Sequence, residues 1–166
     1  MRLTPDRVKR ERDWVYDRAS VVVPIVNQVR ADLGEVFDVR VDPITEDQFR
    51  AAVDDLFADG DRAVNVAALV ALLRDLDVEG DYPGFVVDEV LGRELAGTIA
   101  GKQPLRTLGE ATFHFADVHT NGEDGDAAGA DDLDAALAAG FQELLPGWDW
   151  TERESPFSVE PRGDDG

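Results

Sequence analysis

Apolar residues spaced alternately four and three apart are the feature of this chain that most restricts its fold. The series runs through Val15, Ala19, Val22, Val26, Val29 and Leu33. Side chains at these spacings share one stripe of an α-helix, so the pattern predicts a long helix packed along a second helix. Pro24 removes a backbone donor inside this stretch, and we expect the helix to kink or split near Ser20. We expect Gly34 to end it.

This helical seam, residues 15–33, can be buried in two ways. If the second helix belongs to the same chain, the seam is part of the hydrophobic core. If it belongs to a second copy or to another protein, Val15, Val22 and Val29 are partner-binding residues. The spacing is the same in both cases, so both interpretations stay open.

Capping residues mark further helices. Thr4 before Pro5 is a good helix start, and Thr45 with Gln48 can form a capping box. Apolar periodicity predicts additional helices over residues 66–76, 85–100 and from Asp131 onward. Residues 104–119 fit a helix or a strand, and we favour the helix.

The stretch at residues 37–41 alternates instead with a period of two. Phe37, Val39 and Val41 are separated by charged residues, and Pro43 ends the pattern. Such alternation is typical of a half-buried strand. We therefore predict a mostly α fold, a single domain of five or six helices with a small β element near residues 37–41. A helical core would span residues 1–120, an acidic flexible loop 121–130, and a C-terminal helix with an extended aromatic arm 131–166.

The charge composition suggests an environment. The 166 residues carry a net charge of −20, with 24 Asp, 12 Glu, 14 Arg and only 2 Lys. This composition resembles that of proteins from the salt-saturated cytoplasm of halophilic archaea or their viruses. At molar salt the Debye length falls to about 3 Å, which screens the repulsion within such a surface. Short hydrated carboxylates keep the surface soluble where long Lys stems would add apolar area.

Composition also excludes several classes of site. The chain has no Cys, so disulfides, thiolate metal sites and cysteine nucleophiles are excluded. No apolar stretch approaches the roughly 18 residues of a membrane span, and no secretion signal is recognisable. We expect no membrane association, no cofactor, and a location in the cytoplasm or, for a viral protein, in the virion.

Two chemical alternatives can be tied to particular residues. Glu110, His114 and Asp117 share a helical face and could form the ligand set of a metal-dependent enzyme. The N-terminal helix carries a basic cluster consisting of Arg2, Arg7, Lys9, Arg10 and Arg12, which could contact DNA in a transcriptional regulator. The overall negative charge disfavours nucleic acid as a partner.

The aromatic arm points to a different function. Trp148 and Trp150 fall on one side of an extended chain, and Phe157 follows them. They either pin the arm to its own domain or anchor a partner, because Trp is enriched at interface hot spots. Together with the helical seam, they lead us to expect a non-catalytic protein-interaction or assembly subunit rather than an enzyme. Its partner would be another protein or a second copy.

Overall fold

The computed structural model of the chain describes residues 2–76, 87–120 and 130–148. Within these ranges the chain forms seven α-helices and one π-helical turn, packed as one helical domain. In chain order they are α1 (Pro5–Asp17), α2 (Ala19–Phe37), α3 (Glu46–Ala58), α4 (Gly60–Asp75), the π turn (Val87–Gly92), α5 (Arg93–Ala100), α6 (Leu105–Thr120) and α7 (Ala130–Gln142).

The first predicted helix is split in two, as the position of Pro24 led us to expect. Thr4 caps α1, and its hydroxyl accepts a hydrogen bond from the Arg7 backbone N–H at 3.1 Å. The break falls at Arg18, two residues before Ser20, and α2 then continues through Pro24. The split raises the number of helices from the five or six predicted to seven in the described part of the chain.

Helix α2 does not end at Gly34 as predicted, but continues to Phe37. Asp38 then adopts the left-handed conformation, with φ of 52°. Its N–H donates to the Glu35 carbonyl at 3.3 Å, while the Val39 N–H donates to the Gly34 carbonyl at 2.8 Å. These two bonds form a Schellman motif. Gly34 allows the chain to pass close to α2 after the turn, because a Cβ at this position would lie 2.6 Å from the Val39 carbonyl oxygen.

The β element predicted near residues 37–41 is wrong. Phe37 is the last residue of α2, and residues 39–45 form an irregular connection. A strand needs a neighbouring strand to satisfy its backbone groups, and the described part of the chain contains none. The three alternating residues do not share one environment, because Phe37 and Val39 are exposed while Val41 packs against the core.

Helices α3 and α4 follow each other with only Asp59 between them. The predicted capping box is confirmed: the Thr45 hydroxyl accepts from the Gln48 N–H at 3.2 Å, and Gln48 Oε1 accepts from the Thr45 N–H at 2.9 Å. Asp59 caps α4, which therefore begins at Gly60 rather than near Val66. The helix therefore begins six residues earlier than the apolar periodicity predicted.

Helix α7 lies at the centre of the domain, in contact with α2, α4, α5 and α6. Its residues from Leu133 to Phe141 are buried, and the phenyl rings of Phe141 and Phe49 meet edge to face at 5.2 Å. Residues 104–119, the ambiguous stretch, are helical in α6. Among the described helices, none combines the length and apolar character needed to cross a membrane.

Candidate functional site

The helical seam is buried within the chain. Val15, Val22 and Val29 are each 0% exposed and belong to the main hydrophobic cluster. The fold therefore adopts the intramolecular alternative, in which α2 packs against α3, α6 and α7. These three valines offer no surface to a partner unless the domain opens.

Trp148 is also held by its own domain. It is 4% exposed, and its indole N–H donates to the Gln142 carbonyl at 2.9 Å and to Gln142 Oε1 at 3.0 Å. The Arg30 guanidinium lies 5.8 Å from the centre of its ring. Trp148 thus fixes the chain just beyond α7. Trp150 and Phe157, the other two arm residues, lie outside the described residues, as does most of the predicted acidic loop.

Arg30 organises this C-terminal junction. It is 1% exposed, and its two terminal nitrogens donate to four backbone carbonyls, those of Asp42, Gln142, Leu145 and Pro146, at 2.5–3.0 Å. Three of these acceptors belong to the last residue of α7 and the turn after it, where carbonyls have no partner within the helix. Burial lowers the pKa of Arg30 to about 10, which still leaves it cationic at neutral pH.

Glu143 is the second buried ionisable group at this junction. Its Oε1 lies 2.8 Å from Thr112 Oγ1 and 2.5 Å from Gln142 Nε2. Burial raises the pKa of Glu143 to about 8, although the hydrogen bonds and the charge of Arg30 act in the opposite direction. Buried acids with raised pKa values occur in catalytic sites, but Glu143 is only 2% exposed and does not line the groove described below.

The C-terminal end of α2 carries a group of exposed apolar side chains. Val36, Phe37 and Val39 are 62%, 63% and 47% exposed. We call these three residues the corner patch. Single exposed apolar residues are ordinary on protein surfaces, but here three of them occur within four positions of the chain at the end of one helix. Sequence reasoning missed this patch because it assigned the alternation at residues 37–41 to a half-buried strand.

A shallow groove of about 440 Å³ lies beside the corner patch. Its lining combines apolar and charged residues, namely Arg30, Ala31, Gly34, Glu35, Asp38, Val39, Arg40 and Val41. The Arg40 side chain is 92% exposed, and its Nε lies 3.7 Å from a carboxylate oxygen of Asp42. Charged residues of both signs therefore share this groove with Val39, one member of the corner patch.

Two of the five residues in the basic N-terminal cluster, Arg7 and Arg12, form ion pairs within the chain. Arg7 binds Glu11 at 2.7 Å and Asp75 of α4 at 3.3 Å, and Arg12 binds Asp13 and, on α3, Asp54. These contacts tie α1 to its neighbours, and they neutralise two of the cations on which DNA binding would depend. A second Arg-rich group reinforces the attachment, because Arg18 and Arg74 stack on the Trp14 ring at 5.3 and 5.1 Å.

The predicted metal ligands are not gathered into a cluster. Glu110 lies 3.3 Å from Arg106 in an ion pair, and His114 is exposed, with its ring 6.3 Å from that of Phe115. Across the residues that the structure describes, no three His, Cys, Asp or Glu side chains are close enough to hold a metal ion. Glu110, His114 and Asp117 thus share a helical face without converging on one point.

Comparison with known proteins gives a family and no function. Neither a curated protein nor a solved structure matches the chain. A family model described as a domain of unknown function (DUF7984) matches residues 1–161. Because this match spans almost all of the 166 residues, the family unit includes the acidic segment at residues 121–130 and most of the C-terminal arm. The chain belongs to the DUF7984 family.

Proposed function

We propose that this protein is a non-catalytic protein-interaction or assembly subunit, and that a protein partner docks on the corner patch. The observation that carries this proposal is the exposure of Val36, Phe37 and Val39 at one end of α2. Fully burying a Val or Phe side chain contributes roughly 1.5–3 kcal/mol, so covering the exposed fractions of these three would contribute about 3 kcal/mol. That is the size of an interface hot spot.

The surroundings of the corner patch support docking of a folded partner. Interfaces combine an apolar centre with a polar rim, and here the rim consists of Glu35, Asp38 and Arg40. The patch is also rigidly placed, because α2 is anchored by the buried Val29 and by the four hydrogen bonds of Arg30. A preorganised surface loses little conformational entropy when it binds.

The buried anchors of the domain have a supporting role in this proposal. Val15, Val22, Val29 and Trp148 hold the scaffold that presents the corner patch. Trp150 and Phe157 remain proposed partner-binding residues, since the arm that carries them continues from Trp148, close to Arg30.

The composition supports a salt-rich cytoplasm, that of a halophilic archaeon, or a virion of such a host. At a net charge of −20 on 166 residues, self-repulsion destabilises the folded state in dilute buffer and is screened at molar salt. The alternative of a DNA-bound regulator has less support, because Arg7 and Arg12 are held in ion pairs within the chain. The alternative of a metal enzyme has less support, because its three proposed ligands do not converge.

Site-specific photocrosslinking in a halophilic archaeal host tests the proposal. Phe37→p-benzoylphenylalanine places the crosslinker in the corner patch, and the same substitution at Val21 serves as the control, since Val21 is 38% exposed near the other end of α2. We expect covalent protein adducts from position 37 and far fewer from position 21. Equal yields from the two positions, or no adduct from position 37, would contradict the proposal.

A further inference from the structure

We propose that the partner at the corner patch is a second copy of this chain, docked about a twofold axis so that Arg40 of each copy faces Glu35 and Asp38 of the other. This inference rests on the proposed function and names its partner. Two features of the patch support it, the arrangement of its charges and the state of its backbone. The net charge of the chain then supplies a test.

The charged residues near the corner patch could pair with those of an identical copy. Arg40 extends into solvent, with 92% of its side chain exposed, while Glu35 and Asp38 are exposed on the same groove. In a twofold interface each contact occurs twice, with the roles of the two copies exchanged. A surface that presents both a cation and its acidic complement around one apolar centre can therefore pair with itself, whereas a surface of one sign cannot.

Some backbone donors and acceptors beside the corner patch are not paired with other backbone groups in the described part of the chain. Val39 uses its N–H to close the end of α2, but Arg40 and Val41 have no backbone hydrogen bond within the described part of the chain. Exposed backbone groups that have no partner within their own chain can form hydrogen bonds with another chain. Two identical segments related by a twofold axis run antiparallel, which allows them to pair with each other.

The net charge distinguishes a second copy from a basic partner. Two copies that each carry a charge of −20 repel at low salt, and molar KCl screens this repulsion. A dimer of this chain should therefore tighten as KCl rises. A complex with a positively charged protein would weaken over the same range, because screening removes the attraction that formed it.

Sedimentation equilibrium between 0.5 and 3 M KCl provides the first test, with circular dichroism to verify folding of every variant. We expect the wild-type chain to form a monomer–dimer equilibrium whose dissociation constant falls as KCl rises. Phe37→Ser should raise the dissociation constant at least tenfold, while the control Val21→Ser should leave it within twofold. A dimer that weakens with KCl, or that survives Phe37→Ser unchanged, overturns the inference.

Charge exchange tests the twofold geometry, at the lowest KCl concentration that keeps the variants folded. Arg40→Glu and the double variant Glu35→Lys with Asp38→Lys should each weaken self-association at least fivefold, since each places like charges opposite one another. Mixing the two variants should restore dimers, because both sets of contacts then join opposite charges. The carboxylate introduced at position 40 faces the two introduced ammonium groups. The Arg40 of the double variant faces the Glu35 and Asp38 of the other variant. Lys102 is also exposed, and Lys102→Glu is the net-charge control for Arg40→Glu, because both replace a cation with an anion.

The outcomes separate this inference from the proposed function. If the wild-type chain is monomeric at 100 μM in every salt, or if mixing restores no dimer, the second copy is not the partner. Adducts at position 37 that contain a different protein would then leave the proposed function in place. If position 37 also yields no adduct, both the inference and the proposed function fail.

Discussion

Replacing Glu143 with Gln should change how the free energy of unfolding depends on pH. Burial raises the pKa of Glu143 from 4.5 to about 8 in the folded protein. Between these two values the folded state holds a proton that the unfolded chain has released. The free energy of unfolding must therefore fall as pH rises from about 4.5 to about 8, and this contribution becomes constant above pH 8.

The structure sets the size of the effect. The interval is about 3.5 pH units, and each unit corresponds to 1.36 kcal/mol, so Glu143 contributes a loss of at most about 5 kcal/mol between the two ends. Gln has nearly the same shape and stays neutral. It also keeps an oxygen that can accept from Gln142 Nε2 and from the hydroxyl of Thr112. Glu143→Gln should thus be close to wild type at pH 5 and several kcal/mol more stable at pH 8.5.

Urea unfolding in 2 M KCl, followed by circular dichroism at 222 nm from pH 5 to pH 9, measures this difference. Glu46→Gln is the control, because Glu46 lies at the exposed start of α3 and the substitution removes the same charge outside the buried network. The titration of all other carboxylates is common to the proteins and cancels in the comparison. If the difference between Glu143→Gln and wild type stays constant within about 0.5 kcal/mol across this range, the assignment of a raised pKa to Glu143 is refuted.

Three further predictions concern stability, each measured by the same urea unfolding assay. Arg30→Met should lower the free energy of unfolding by about 3 kcal/mol, because four backbone carbonyls lose a charged donor. The same substitution at the exposed Lys102 should change it by less than about 0.5 kcal/mol, and equal effects would contradict the role of Arg30 at the C-terminal junction. Gly140→Ala should cost about 2 kcal/mol or more, since its Cβ would lie 2.6 Å from that of Ile99, while Gly60→Ala, which meets nothing within 4 Å, should not destabilise α4. Lowering KCl from 2 to 0.1 M should reduce the wild-type free energy of unfolding, and a rise instead would contradict the proposed adaptation to salt.

The local signals in the sequence predicted most of the helices well. Thr4, Thr45 and Gln48 cap helices as expected, because these hydrogen bonds join residues only three apart and need no tertiary partner. Pro24 likewise indicated the split between α1 and α2. Helix ends were predicted less well. Gly34 did not end α2, because the chain uses this glycine for close approach of the Val39 carbonyl and turns only at Asp38.

The candidate site was harder to predict than the fold. Phe37 and Val39 were assigned to a strand face, and only the absence of a neighbouring strand in the described structure leaves them on the surface. Conversely, Val22 and Trp148 had the spacing and residue type of partner-binding positions, but they are buried. Sequence identifies which side chains must avoid water, but the same apolar residue satisfies that requirement in a core or in an interface.

By itself the sequence determined a cysteine-free, highly acidic and mostly helical chain. Charge and composition are sums over residues, and helix periodicity and capping act over only three or four positions. Only the tertiary structure decided which apolar stripe is covered and which is exposed, and it brought Arg30 to the carbonyls of Leu145 and Pro146. It also buried Glu143 against Thr112, 31 residues away in the chain. These decisions depend on contacts between distant segments, whose free energies arise only when the helices pack together and exclude water.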